Sequence, residues 1–172
     1  MVRHRVLARH SRVAAGDRLS IALIKRCVRG ALQAEMVGMS CEVSVLITDD
    51  WGVRGLNREF RGIDEPTDVL SFPMQEFSPP GWSNPDSDTL YPDTGLLPLG
   101  DIVLSAQKVF EQARENRQSV ECETAYLTVH SVLHLLGYDH VDEAEGKKQM
   151  RKREEEILGE LGVRSYLLLV TC

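Results

Sequence analysis

The chain is 172 residues long, 42% apolar and 27% charged, with 26 Asp+Glu against 20 Lys+Arg and a formal net charge of −6. That length suits one domain, which can bury roughly 70% of its unfolded surface, so a single domain over residues 1–172 is expected. The apolar content excludes intrinsic disorder, and the negative sign excludes nucleic-acid binding through overall charge, because the whole molecule repels phosphate.

Val6, Leu7 and Ala8 predict a short first strand inside a basic start. Residues 1–30 hold seven Arg and one Lys against Asp17 alone, a local +7 that leaves −13 for the remainder. Apolar residues at helical spacing (Leu19, Leu23, Cys27, Ala31) predict a helix from Asp17 to Met36, stopped by Gly38. Alternation from Cys41 to Thr48 gives the clearest strand. Asp49 and Asp50 can cap a helix running to Arg61. Val69–Phe72 and Ile102–Leu104 are further strands, and the proline-rich stretch between them, about 75–98, predicts a long loop that is either functional or a tolerated insertion. Helices follow: Ser105 to Asn116, Val120 to Leu136, and Glu143 to Leu161, the last with its many charges read as a solvated face. Strands early and helices late predict an α+β fold, a small mixed β-sheet packed with helices.

Cys27, Cys41, Cys122 and Cys172 are scattered, without metal-ligand or redox spacing, and read as small apolar fillers or idle thiols. The basic start also has the composition of an organelle transit peptide, but an exposed strand followed by a basic helix face is favoured, and a cytoplasmic location is expected. No apolar stretch near the start suits a secretory signal. The longest apolar run, Tyr166–Val170, is five residues, against roughly 20 needed to cross a bilayer, so no membrane partner is expected.

Chemistry concentrates in HSVLHLLGYDH, which holds His130, His134 and His140. Two histidines four apart on a helix share one face, with Cβ atoms roughly 5–6 Å apart, close enough for both rings to bind one ion at about 2.0–2.1 Å. Gly137 can end the helix in the left-handed conformation and let His140 return to the same ion. Three imidazoles and an open position describe a catalytic zinc site on a helix and the turn after it, where bound water has a pKa near 7. Nickel, copper or iron suit the same donors. His4 and His10 have no such pattern and read as surface residues.

The spacing also fits the metzincin peptidase pattern H-E-x-x-H-x-x-G-x-x-H, but Ser131 stands where that chemistry requires a glutamate base, which disfavours a peptidase. Phosphodiester cleavage asks instead for a cation beside the metal, for which arginine is best suited. Arg61, in LNREFRGIDEPTDVLSFP, is the candidate; its position alone does not separate it from Arg58.

LNREFRGIDEPTDVLSFP (Leu56–Pro73), LGDIVLS (Leu99–Ser105) and HSVLHLLGYDH together make the chain resemble the YbeY family of metal-dependent endoribonucleases. The resemblance implies that His130, His134 and His140 bind a zinc-like ion and that Arg61 contacts the scissile phosphate or the RNA backbone. It also implies a zinc-dependent, single-strand-specific endoribonuclease acting in rRNA maturation, at the 3′ end of small-subunit rRNA, and in ribosome quality control. The partners would be single-stranded RNA and ribosome or small-subunit assembly components, with no DNA substrate. Ser131 departs from the glycine usual in the family. The second class of function is an RNA- or ribosome-binding assembly factor whose metal stabilises the fold with little hydrolysis. A basic N-terminal third beside the metal cleft is expected to hold RNA locally against the net negative charge.

Overall fold

Alternating burial along Cys41–Thr48 puts every second side chain into one core and makes this segment an inner strand of a four-stranded mixed sheet. The computed structural model describes residues 1–78, 80–85, 89–139 and 144–163. Among the described residues the order is β1 (Arg5–His10), α1 (Ile21–Ala34), β2 (Cys41–Thr48), α2 (Asp50–Arg61), β3 (Val69–Pro73), β4 (Leu97–Ser105), α3 (Ala106–Glu115), α4 (Val120–Leu135) and α5 (Ala144–Glu160). The sheet runs β1-β2-β4-β3, parallel throughout except for β3, which is antiparallel to β4. This is the expected α+β architecture. No helix among the described residues is long and apolar enough to cross a membrane. Cys172, the run Tyr166–Val170 and the expected helix start at Glu143 lie outside the described residues.

Neighbouring residues of β3 and β4 serve opposite layers, as the pleat dictates. Ile102 and Leu104 join α1 (Ile24, Val28, Leu32) and α4 (Val129, Val132, Leu133) in the main core. Val103 and Leu70 pack against Val53 of α2 on the other face.

Four expectations are corrected. Helix α1 starts at Ile21 rather than Asp17, because the Ser20 side chain accepts the Leu23 N–H and residues Ala15–Asp17 form a separate 3-10 turn. Strand β4 starts at Leu97, so the proline-rich loop ends at Leu96 and not at residue 98. Pro98 and Gly100 disguised that strand: Glu42 pairs with Pro98 and Val43 with Gly100, which leaves Leu99 as the extra residue of a β-bulge. His4 and His10 are half-buried, not surface residues: His10 Nε2 lies 3.0 Å from the Leu19 carbonyl, and His4 Nδ1 is buried without a partner among the described residues. Finally, the basic N-terminal third is divided: Arg5 and Arg9 lie on β1, the sheet edge opposite β3, whereas α1, which carries Lys25, Arg26 and Arg29, packs against the histidine helix.

Gly100 adopts φ +150°, and a Cβ there would stand 2.5 Å from the Phe72 carbonyl oxygen and 2.7 Å from a Leu135 methyl. Gly100→Ala is expected to lower unfolding stability by about 2–4 kcal/mol, read from urea denaturation midpoints. Burial, and then the Arg29 charge, hold the His4 pKa below its ordinary value. The unfolded chain therefore binds more protons, so this contribution is present above pH ~6.5 and is lost on acidification. Unfolding midpoints of the native chain are expected to fall more steeply from pH 7 to pH 5.5 than those of His4→Gln.

Candidate active site

Helix α4 is apolar on most of its circumference and sunk in the core. From Cys122 onward, its residues that are not fully buried are Cys122, Tyr126, His130 and His134, spaced by four along a single stripe. That stripe is the opening through which α4 meets solvent. Ser131, beside it, is fully buried and donates its hydroxyl to the Leu127 carbonyl at 2.8 Å, so it is no base for a peptidase.

The two rings on the stripe meet nearly edge to face, with centroids 4.5 Å apart and planes at 85°. His130 Nε2 and His134 Nε2 are 3.1 Å apart. Two imidazole nitrogens on one tetrahedral ion, each at about 2.0–2.1 Å, would be separated by about 3.3 Å. The pair therefore has the spacing of two ligands to one cation. Behind it, His130 Nδ1 lies 2.7 Å from Glu154 Oε1, a side chain only 5% exposed. Glu154 is thus not part of a solvated face, as the charge pattern of α5 suggested; it is the inward carboxylate at the site. Tyr126 stacks 5.9 Å from the His130 ring, and burial, followed by the Glu154 charge, pushes its hydroxyl up to about 12. It stays a neutral donor at ordinary pH.

The helix ends as expected at Gly137, φ +83°. Gly137 N–H donates to the His134 carbonyl and Tyr138 N–H to the Leu133 carbonyl, both at 3.0 Å, the paired bonds of a Schellman cap. Tyr138 then turns inward and donates to Glu35 Oε2 at 2.8 Å. The proline-rich loop closes over this exit: Gly81 N–H donates to the Leu136 carbonyl at 2.9 Å, and Phe77 is buried against Gly137. The loop is therefore part of the wall around the histidine helix. His140 lies outside the described residues.

Arg61 ends α2, where Gly62 in the left-handed conformation terminates the helix and Asn57 anchors the following turn through the Glu65 carbonyl at 2.8 Å. Its Nη2 donates to the Ser71 carbonyl at 3.5 Å. The bonds Ser105 N–H to Asp68 carbonyl and Met74 N–H to Leu99 carbonyl fix the β3–β4 ladder so that Val69 and Ser71 turn their backbone groups to the open edge. Arg58 and Arg54 instead sit on Asp64, at 3.7 and 2.9 Å. Among the described residues no acid pairs with Arg61. The structure thus separates Arg61 from Arg58, and places Arg61 against Ser71 of β3, the strand that α4 packs against from the other face of the sheet.

Similarity to a solved structure gives the class first: the solution structure of TM1509 from Thermotoga maritima has a TM-score of 0.53 and 27% identity, over 92% of this chain and 91% of that one. The shared architecture is an α+β domain. A relative from Pelotomaculum thermopropionicum, named Endoribonuclease YbeY, is 46% identical over 149 residues, 87% of this chain and 91% of the relative. Another of that name, from Clostridium beijerinckii, is 43% identical over 90% of this chain and 95% of the relative. The family model described as Endoribonuclease YbeY matches residues 8–162. The chain belongs to the YbeY endoribonuclease family, a family of hydrolytic nucleases.

A Cβ on Gly137 would fall 2.6 Å from the Phe77 carbonyl oxygen. Gly137→Ala is expected to destabilise the fold by about 1–3 kcal/mol and to disturb the loop that walls the site, seen as faster protease cleavage between Pro73 and Leu97.

Proposed function

We propose that this chain is a zinc-dependent endoribonuclease acting on single-stranded RNA in the maturation of small-subunit rRNA and in ribosome quality control, in the cytoplasm. The observation that carries the reading is the convergence of His130 Nε2 and His134 Nε2 at 3.1 Å with a buried carboxylate behind one of them. His130, His134 and His140 would hold the ion, with Glu154 accepting the Nδ1 proton of His130, an arrangement that orients a ligating imidazole. When bound, the ion supplies Lewis acidity toward a water and a phosphoryl oxygen.

The chain's own residues do the rest. Arg61, permanently charged and unpaired with any acid among the described residues, binds a phosphate oxygen through its planar fork and opposes the charge that develops there. The open edge of β3 offers the Ser71 N–H to an extended strand. Tyr126, neutral, can donate to an oxygen beside His130. A binding factor with little hydrolysis is the second reading, favoured by one observation: Glu154 is buried against His130 and is not placed to take a proton from solvent.

The test uses the full chain, stripped with chelator and reloaded with zinc, on a single-stranded RNA oligomer. Zinc is expected to restore cleavage, Arg61→Ala to lower kcat by about 10²–10³-fold with zinc content unchanged, and His134→Ala to lose both zinc and activity. Zinc binding without cleavage would favour the assembly factor, and cleavage surviving both substitutions would identify a contaminating nuclease.

A further inference from the structure

Helix α5 reaches the histidine pair from 24 residues downstream, and its register is fixed by more than apolar packing. Met150, Ile157 and Leu158 are buried. Arg153, adjacent to Glu154, donates to Glu35 Oε1 from Nε at 2.8 Å and from Nη2 at 2.6 Å, and to the Ala34 carbonyl at 3.2 Å, while also bonding Glu156. Glu35 in turn accepts the Tyr138 hydroxyl. One buried carboxylate on the end of α1 thus ties α5 to the turn that follows the histidine helix.

We propose that Glu154 is the positioning residue of the histidine pair, holding His130 as the Nδ1–H tautomer with its Nε2 toward His134. An ionised carboxylate only accepts hydrogen bonds, so at 2.7 Å from Nδ1 it selects the tautomer with the proton on that nitrogen. The other nitrogen is then left with its lone pair directed at the 3.1 Å gap. Without the carboxylate, the proton can sit on either nitrogen, and the ring loses a bond that fixes its rotation. The inference rests on the reading that the pair binds a cation, and adds that its affinity is set from α5.

The experiment measures zinc binding to the full chain by competition with a chromophoric chelator, and the His130 tautomer in the zinc-free chain by long-range 1H–15N NMR. Glu154→Ala is expected to weaken zinc by about 10- to 100-fold and to mix the His130 tautomers. Glu154→Gln, which keeps shape and an acceptor oxygen but no charge, is expected to lose less than 10-fold and remains informative if the alanine variant does not fold. Ile157→Ala removes packing from the same helix and is expected to lower Tm while leaving zinc affinity within about threefold. Equal loss of affinity in Ile157→Ala and Glu154→Ala would reduce Glu154 to a packing residue. Unchanged affinity and tautomer in both Glu154 variants would overturn the positioning role alone, whereas a native chain that binds no zinc would overturn the metal reading itself.

Discussion

Ten of the sixteen residues of α4 are buried, so each polar group it carries inward must find a partner within the protein. Thr124, Thr128 and Ser131 donate to the carbonyls of Val120, Thr124 and Leu127, one turn back along the helix. Glu123 accepts from Asn116 and Gln118 in the turn before α4. His130 takes a partner from a distant element, the buried Glu154 of α5. The same constraint that lets α4 form the centre of the core therefore makes α5 part of the site.

Burying Glu154 and Glu35 is tolerable because each is bonded. An uncompensated carboxylate away from water is strongly destabilising, and removing one partner of a buried pair costs more than the pair itself contributes. Arg153 answers Glu35 with two short bonds. Tyr138, pushed up to about 12 by burial and then by its bond to Glu35, remains a donor across the physiological range. Because Arg153 and Glu154 are consecutive, they leave α5 in different directions: one fastens the helix to α1, the other to α4. A shift of α5 by one residue would break both.

The architecture, the strand at Cys41–Thr48, the helix caps at Ser105 and Asp49 and the glycine exit at Gly137 are all written in local chemistry, and the sequence reading found them. What it missed are features that depend on partners far along the chain. Pro98 and Gly100 look like loop residues until β2 is laid beside them, when a bulge absorbs Leu99 and keeps Leu97 and Leu99 both inside. Glu154 was hidden in a run of like charges, yet a signal was present. Met150, Ile157 and Leu158 define the inward stripe of α5, and position 154 lies four residues after the first and three and four before the next two. A charge on an apolar stripe is the mark of a bonded carboxylate, and only the fold identifies its partner as His130. Arg61 and Arg58, indistinguishable in sequence, are separated by Asp64 and by the open edge of β3.

The charge of −6 describes the whole chain and not any one of its surfaces. At physiological ionic strength exposed charges are screened beyond about 8 Å, so acids on one surface contribute little to the field at another. Several acids at the end of α1, on α5 and in the turn after α2 have internal partners: Glu35 and Glu156 with Arg153, and Asp64 with Arg54 and Arg58. Asp68, at the head of β3, accepts from Val69 N–H and from Gln112. Arg5 on the opposite edge is paired with Glu42 at 3.4 Å and adds little positive field of its own. At β3, Arg61 stands without a counter-charge among the described residues, and Asp68 is oriented by its own hydrogen-bond donors. The local charge at β3, and not the sum over the chain, sets the field there.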